Sequence, residues 1–286
     1  MPDQQEPKPQ EQPTTTPVPP PPAPKPAEPS ADGSTPPASL QTLSIDLAPG
    51  VTVELVCVPA GEFVMGSNKA QDPEAGPAEL PPHTVYVGEF YMAKYPVTVA
   101  QFATFVKKTG YKRRAVPQDV KNKGRHPVVN VSWEDAVAFC GWASQATGQP
   151  VHLPSEAEWE KAARGTDGRI WPWGNEPPDA TRCNFNTNMK GTTPVGHYSP
   201  GGDSPYGCAD MAGNVWEWML SKYKPYPYKT DDDRDKIDSS SQFRVVRGGS
   251  WAYSSDHARC ADRDWYAPVI RFHDFGFRLV VRRAPA

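Results

Sequence analysis

Cysteine, net charge and long apolar runs are all scarce in this chain of 286 residues. The five cysteines (Cys57, Cys140, Cys183, Cys208 and Cys260) are widely spaced and never form a CxxC pair. This pattern supports neither a disulfide framework nor a zinc site, and it predicts buried thiols. A net charge of −3 argues against a nucleic-acid partner. No run of about 18 apolar residues is present, so no membrane span is expected.

Signals for export are also missing from the start of the chain. The segment MPDQQEPKPQ has neither the basic part nor the apolar part of a signal peptide, which predicts a cytoplasmic protein by default. A proline-rich leader of this kind can also follow an anchor that has been removed, so surface display is the alternative.

Proline is abundant, and its 35 residues are skewed towards positions 1–40. This segment has almost no aromatic or branched side chains, so it cannot bury enough apolar surface to offset the entropy of ordering. We expect a disordered, semi-extended tether over residues 1–40, with an SH3-type ligand as the alternative. Residues 41–286 are then the folded domain.

The first part of this domain has the alternation of β-strands and the start signals of helices. A strand is expected at 51–58, a turn and a second short strand over 59–67, and a strand pair over 83–87 and 90–92. Three capping boxes, at Thr98, Ser132 and Ser155, predict helices that end at Gly110, Gly148 and Gly165. After Gly165 only short strands are expected, over 171–175, 183–186 and 193–196, followed by an alternating closing strand over 276–281.

Two groups of acidic residues are candidates for chemistry. Glu156, Glu158 and Glu160 open the third helix, where carboxylates that favour the helix dipole are a commoner explanation than catalytic acids. Asp210 and Glu217 flank a glycine-containing turn that can direct backbone carbonyls at a Ca²⁺ ion. A tryptophan-anchored turn with solvated acids explains the second group equally well.

The stretch from Arg247 to Val280 combines two kinds of position. Seven residues look fixed: Arg259, Cys260, Ala261, Arg263, Trp265, Pro268 and Arg271. The others are chemically unrelated and follow no amphipathic period, so we describe them as free. The free positions are Ala252, Tyr253, Ser254, Ser255, Asp256, His257, Asp262, Asp264, Tyr266, Ala267, Val269, Ile270, Phe272, His273, Asp274 and Phe275.

Two of the free positions are histidines that lie near aspartates. His257 and His273 could form a metal site or an acid–base pair, but no third ligand is evident in the sequence.

Six motifs of this chain resemble the formylglycine-generating enzyme (sulfatase-modifying factor) family. They are GEFxMGS from Gly61, HPVVNVSW from His126, LPSEAEWE from Leu153, GNVWEW from Gly213, RGGSW from Arg247 and GFRL from Gly276. The resemblance implies an α+β, C-type-lectin-like fold with little regular secondary structure and a few helices around a twisted antiparallel sheet. It also implies one structural Ca²⁺ at Asp210, Gly213, Val215 and Glu217, with the middle two binding through carbonyls.

The resemblance does not extend to the residues that carry the oxidation chemistry of the family. The family enzyme oxidises a cysteine with copper held by two cysteines that follow the RGGS-aromatic motif, and soft Cu(I) needs such thiolates. Here no cysteine lies between Trp251 and Arg259. Cys260 matches a structural position of the family. We therefore expect no copper and no oxidase activity.

The alternation of fixed and free positions is similar to the variable region of a diversity-generating retroelement protein. In such systems Asn codons (AAY) become NNY codons, which cannot encode Lys, Glu, Gln, Met or Trp. All sixteen free positions hold NNY-compatible residues. Trp265 is the one exception between Ala252 and Phe275, and it lies at a fixed position.

These observations lead to three hypotheses. The first is a monomeric, non-catalytic protein whose diversified C-terminal surface binds protein or cell-surface ligands, with Tyr253, Tyr266, Phe272 and Phe275 as aromatic anchors. The second is a family enzyme with altered oxidative or sulfur chemistry. The third is a fixed adaptor domain. An ordinary divergent loop would explain the free positions without any retroelement.

Overall fold

The computed structural model describes residues 41–282 apart from 113–118, 239 and 241. The predicted tether over residues 1–40 lies outside the described residues. None of the helices in the described part is long and apolar enough to cross a membrane.

Short strands outnumber helices in the described residues. The strands are β1 (Thr42–Ala48), β2 (Val51–Val58), β3 (Gly61–Met65), β4 (His83–Val87), β5 (Phe90–Ala93), β6 (Val151–His152), β7 (Trp216–Lys222), β8 (Arg244–Arg247), β9 (Arg263–Tyr266), β10 (Phe275–Gly276) and β11 (Val280–Arg282). The α-helices are α1 (Val99–Thr109), α2 (Val120–Lys123), α3 (Trp133–Thr147) and α4 (Glu156–Arg164). Single 3-10 turns occupy Pro77–Glu79 and Ser255–Ala258.

The strands form three sheets. The largest has the order β1-β2-β5-β11-β6 and is antiparallel throughout. The second has the order β10-β7-β8-β9, and its β10–β7 contact is parallel. The third is the antiparallel pair of β3 and β4. This mixed arrangement of a few helices and antiparallel sheets confirms the predicted α+β class.

The largest sheet is covered on both faces, because side chains alternate along each strand. In β2, Leu55 lies in one core cluster, together with apolar residues of α1 and α3. Val56 and Val58 of the same strand lie in a second cluster, with Trp159 of α4. The five-stranded sheet therefore separates two hydrophobic cores.

The three predicted helices begin and end where the capping signals place them. Thr98, Ser132 and Ser155 each accept a hydrogen bond from the backbone N–H three residues later, and the residue at that later position returns the bond. Gly110 and Gly148 end α1 and α3 in the left-handed conformation.

Several strand predictions were wrong. The strands β4 and β5 form, but β4 pairs with β3 whereas β5 pairs with β2 and β11. The short strands expected over 171–175, 183–186 and 193–196 are absent, and only single bridges occur there, such as Asn184 with Gly213. The closing strand expected from Gly276 is divided between two sheets, as β10 and β11.

The acidic residues of α4 pair with arginines from the C-terminal strands. Arg263 Nη2 lies 2.7 Å from Glu156 Oε2. Arg282 donates to both oxygens of Glu158, at 2.7 and 2.9 Å. Glu160 forms an ion pair with Arg247, and both side chains are fully buried. Because arginine side chains bind these carboxylate oxygens, the three glutamates have a structural role. A favourable interaction with the helix dipole explains only part of their presence at the beginning of α4.

Arg278 forms a similar contact between β10 and β11. Its Nε and Nη2 atoms each lie 2.7 Å from an oxygen of Glu217 in β7, and neither side chain is accessible to solvent. Its guanidinium also donates to the carbonyls of Ala93 and Ala209. The guanidinium therefore joins the two largest sheets at the point where the chain passes from β10 in one sheet to β11 in the other.

Replacing Arg278 by methionine tests the importance of this contact. The Glu217 carboxylate would stay buried without its cation, which costs about 3–5 kcal/mol of the free energy of unfolding. The matched control is Arg182→Met, because Arg182 and Asp179 are partly exposed, at 30% and 51%. That change is expected to cost less than about 1 kcal/mol. Urea denaturation measures both, and equal losses would contradict the assignment.

Candidate functional site

The Arg247–Trp251 turn positions the beginning of the candidate surface. Gly248 and Gly249 both have positive φ, at 92° and 69°. A Cβ atom on Gly249 would lie 2.6 Å from the carbonyl oxygen of His257. Glycine is therefore required for the turn to lie against the 3-10 segment Ser255–Ala258.

The fixed residues of the following stretch contact the scaffold. The Arg259 guanidinium lies 2.7 Å from Asp72 and 2.8 Å from both oxygens of Glu79. Burial by itself would raise the pKa of Glu79, but the hydrogen bonds and the charge of Arg259 hold it below its usual value. Cys260 and Ala261 are buried, and the Cys260 N–H donates to the carbonyl of Ile170. The centre of the stretch is thus held by residues far away in the sequence.

Two fixed residues are partly exposed, and each has a specific partner. Trp265 stacks on Tyr223 with ring centroids 3.7 Å apart. Arg271 Nε donates to Asp135 at the beginning of α3, at 2.8 Å. Both contacts explain why these positions look fixed.

The free positions have a different environment. The exposed ones are Ser254, Val269, Phe272 and His273. The half-buried ones are Ala252, Tyr253, Ser255, Asp256, His257, Asp262, Asp264, Tyr266, Ala267 and Ile270. These fourteen residues (four exposed and ten half-buried) form what we call the free surface.

Asp274 and Phe275 are corrections to the predicted set, because both are buried. The Asp274 carboxylate accepts a hydrogen bond from the Ser250 hydroxyl at 2.7 Å. The Phe275 ring lies between those of Trp218 and Tyr266, at 5.4 and 5.0 Å. Neither side chain reaches the surface, so both belong to the scaffold.

Aromatic side chains form the apolar part of the free surface. The Tyr266 ring lies 5.6 Å from that of Phe272. The Tyr253 ring lies 5.1 Å from His257 and 5.6 Å from the buried Trp216. All these pairs are edge-to-face, the geometry that aromatic rings favour. The structure therefore brings three of the four predicted anchors to a surface and places the fourth, Phe275, beneath it.

Carboxylates and one imidazole supply its polar part. His257 Nδ1 lies 3.1 Å from Asp262 Oδ2, and this hydrogen bond raises the pKa of His257 above its usual value. The Tyr266 hydroxyl donates to Asp264 at 2.9 Å. His273 packs instead against Trp251, with ring centroids 5.3 Å apart. No group of three or more His, Cys, Asp or Glu side chains within the described ranges is arranged to hold a metal ion.

The residues predicted to bind Ca²⁺ do not fit that ion. Both oxygens of Glu217 accept from Arg278, and Trp159 Nε1 donates to one of them at 2.8 Å. The Gly213 carbonyl accepts from the N–H of Val215 at 2.9 Å. Asp210 accepts from the N–H of Gly196, and its burial raises the pKa of its carboxyl to about 6. Arg278 supplies the positive charge that an ion would otherwise bring to Glu217.

The cysteines are buried free thiols, as expected. Burial raises the pKa of Cys208 to about 11 and the pKa of Cys183 and Cys260 to about 12. These three thiols are therefore protonated at neutral pH.

The segment 184–188 supports the free surface through backbone hydrogen bonds, although its sequence carries little signal for this role. The N–H groups of Asn186 and Thr187 donate to the carbonyls of Tyr253 and Trp251, both at 2.7 Å. Asn186 and Thr187 both have positive φ. The run of asparagines from Asn184 to Asn188 is the one available signal, since asparagine tolerates this conformation better than most residues.

Comparisons with known proteins agree with this architecture. The profile of the sulfatase-modifying factor enzyme 1-like domain matches residues 47–283. The formylglycine-generating enzyme of Thermomonospora curvata is 32% identical over 290 residues, covering 78% of this chain and 92% of the relative. The hercynine oxygenase of Mycolicibacterium smegmatis is 31% identical over 271 residues. That match covers 81% of this chain but 62% of the relative, so the chain spans less than two thirds of its length.

Two solved structures are similar over most of the chain. PvdO from Pseudomonas aeruginosa has a TM-score of 0.73 at 26% identity, covering 84% of this chain and 98% of that one. Treponema denticola variable protein 1 has a TM-score of 0.66 at 25% identity, covering 86% of this chain and all (100%) of that one. The chain therefore belongs to the sulfatase-modifying factor (formylglycine-generating enzyme) family, has its C-type-lectin-like fold, and resembles a variable protein built on that fold.

Proposed function

We propose that this chain is a non-catalytic binding protein whose free surface recognises protein or cell-surface ligands and is diversified by a retroelement. One observation carries the proposal. Within residues 252–275 the sixteen free side chains are exposed or half-buried except for Asp274 and Phe275, whereas the seven fixed side chains are buried or have a specific partner in the scaffold. Such a surface can change its chemistry without disturbing the core.

The composition of the free surface suits recognition of a protein. Tyr253, Tyr266 and Phe272 provide large apolar contacts with few rotatable bonds, and His257 and Asp264 provide adaptable hydrogen bonds. The similarity to Treponema denticola variable protein 1 supports the same function.

An enzyme of altered chemistry is the second candidate, and it is favoured by the similarity to hercynine oxygenase and the formylglycine-generating enzyme. The residues argue against it. The glutamates of α4 are engaged by arginines, and no cysteine lies between Trp251 and Arg259.

The gene provides the first test. We expect a pyrimidine at the third base of every free codon from Ala252 to Phe275, clustered variation there among sibling cells, and an adenine-rich near-copy of the window in the genome. Sequencing of the window in many siblings measures all three. Mixed third bases and an invariant window would refute diversification and favour a fixed adaptor or enzyme.

Stability measurements provide the second test. Replacing Ser254, Val269 or His273 by asparagine, the residue of the template codon, should change the free energy of unfolding by no more than about 0.5 kcal/mol. These side chains are exposed. The matched change Arg263→Asn removes the buried partner of Glu156 and should cost about 3–5 kcal/mol. Comparable losses in both groups would show that the free surface is structural.

An activity assay separates the two candidates. The protein, loaded with Cu(I) and given a cysteine-containing peptide and oxygen, should form no aldehyde detectable by mass spectrometry. The Thermomonospora curvata relative is the positive control. Turnover by this chain would establish the enzymatic alternative.

A further inference from the structure

Trp216 lies directly beneath the free surface. Its side chain is fully buried at the beginning of β7. The rings of Tyr253 and His257 lie 5.6 and 5.8 Å from it, and they lie 5.1 Å from each other. Both covering residues occupy free positions, whereas Trp216 lies outside the Arg247–Val280 stretch. Under the proposed diversification, Tyr253 and His257 can therefore be replaced by other residues while Trp216 is unchanged.

The indole of Trp216 is also an unused hydrogen-bond donor. Its Nε1 atom is buried and has no hydrogen-bond partner among the described residues. Trp171 and Trp251 share this feature, whereas three other tryptophans have an acceptor. Trp133, Trp159 and Trp218 donate to Met219, Glu217 and Val131 at 2.8–3.0 Å. A buried donor without an acceptor is costly, so an incoming acceptor is favoured at this point.

The backbone around Trp216 does not depend on the two covering side chains. The Trp216 N–H donates to the Asp274 carbonyl at 2.9 Å, and Trp216 pairs with Phe275 across β7 and β10. The covering segment is held through the Trp251 and Tyr253 carbonyls on one side and through Arg259 on the other. Small residues at positions 253 and 257 should therefore open a pocket rather than let the segment collapse.

We propose that Trp216 is the floor of a latent subsite, which Tyr253 and His257 close in this variant and which smaller residues at those positions open to a phenol-bearing side chain of a ligand. The space released is that of a phenol and an imidazole ring. A phenolic hydroxyl can accept from the indole N–H and donate to Asp262 Oδ2, which loses its hydrogen bond with His257 when that residue is replaced but keeps its ion pair with Arg259. The inference rests on the proposed binding function, because it describes how the free surface changes specificity.

Indole N–H signals in the ¹H–¹⁵N NMR spectrum test the subsite. The protein has nine tryptophans, and a Trp216→Phe variant identifies the signal of Trp216. In Tyr253→Ser/His257→Ser, titration with p-cresol should shift that signal saturably. Toluene, which lacks the hydroxyl, should bind about fivefold more weakly, the factor that one net hydrogen bond contributes. The parent protein should show no shift with either probe.

Three results would overturn the proposal. They are an unresponsive Trp216 signal in a folded double variant, equal binding of p-cresol and toluene, and a parent that binds as well as the double variant. If the double variant does not fold, the single variants Tyr253→Ser and His257→Ser replace it. Failure of both to fold would show that the cover is structural.

The codon test remains independent of this experiment. If p-cresol shifts the Trp216 signal but the third bases of the free codons are mixed, the subsite is supported and diversification is refuted. If the free codons are diversified but the Trp216 signal does not respond to p-cresol, diversification is supported and the subsite is refuted.

Discussion

Buried arginine–glutamate contacts between distant segments are the constraint on which this structure depends. A buried charge is tolerated only when its partner is present in good geometry, so each contact holds two segments in a single relative position. Five such contacts involve arginines of the C-terminal part of the chain. Four are buried and join Arg247 to Glu160, Arg259 to Glu79, Arg263 to Glu156 and Arg278 to Glu217. The fifth joins the partly exposed Arg282 to the buried Glu158.

These contacts replace the regular secondary structure that the C-terminal stretch largely lacks. Between β8 and β11 there is only one 3-10 turn and two short strands, so backbone ladders alone would leave the stretch weakly defined. Arg259 and Arg263 are instead held by Glu79 and by Glu156 of α4. Hydrogen bonds between charged groups are stronger than neutral ones, which is why a few of them suffice.

The same contacts separate the scaffold from the free surface. Charged pairs and stacked rings hold the backbone, and fourteen of the sixteen free side chains between them are exposed or half-buried. Trp265 on Tyr223 and Arg271 on Asp135 show that even half-exposed fixed residues have a partner. The proposed diversification requires this separation, because side chains must vary at neighbouring positions without a matching loss of stability.

Local signals in the sequence determined the three capped helices and the strands β2 to β5. Capping boxes act within four residues and alternation acts within one strand, so both are readable from the chain itself. The burial of Asp274 and Phe275, the division of the closing strand and the use of Glu217 by Arg278 were decided only by the tertiary structure. Each depends on groups brought together from positions far apart in the sequence. The sequence around Glu217 does not show whether a metal ion or an arginine side chain will neutralise its carboxylate.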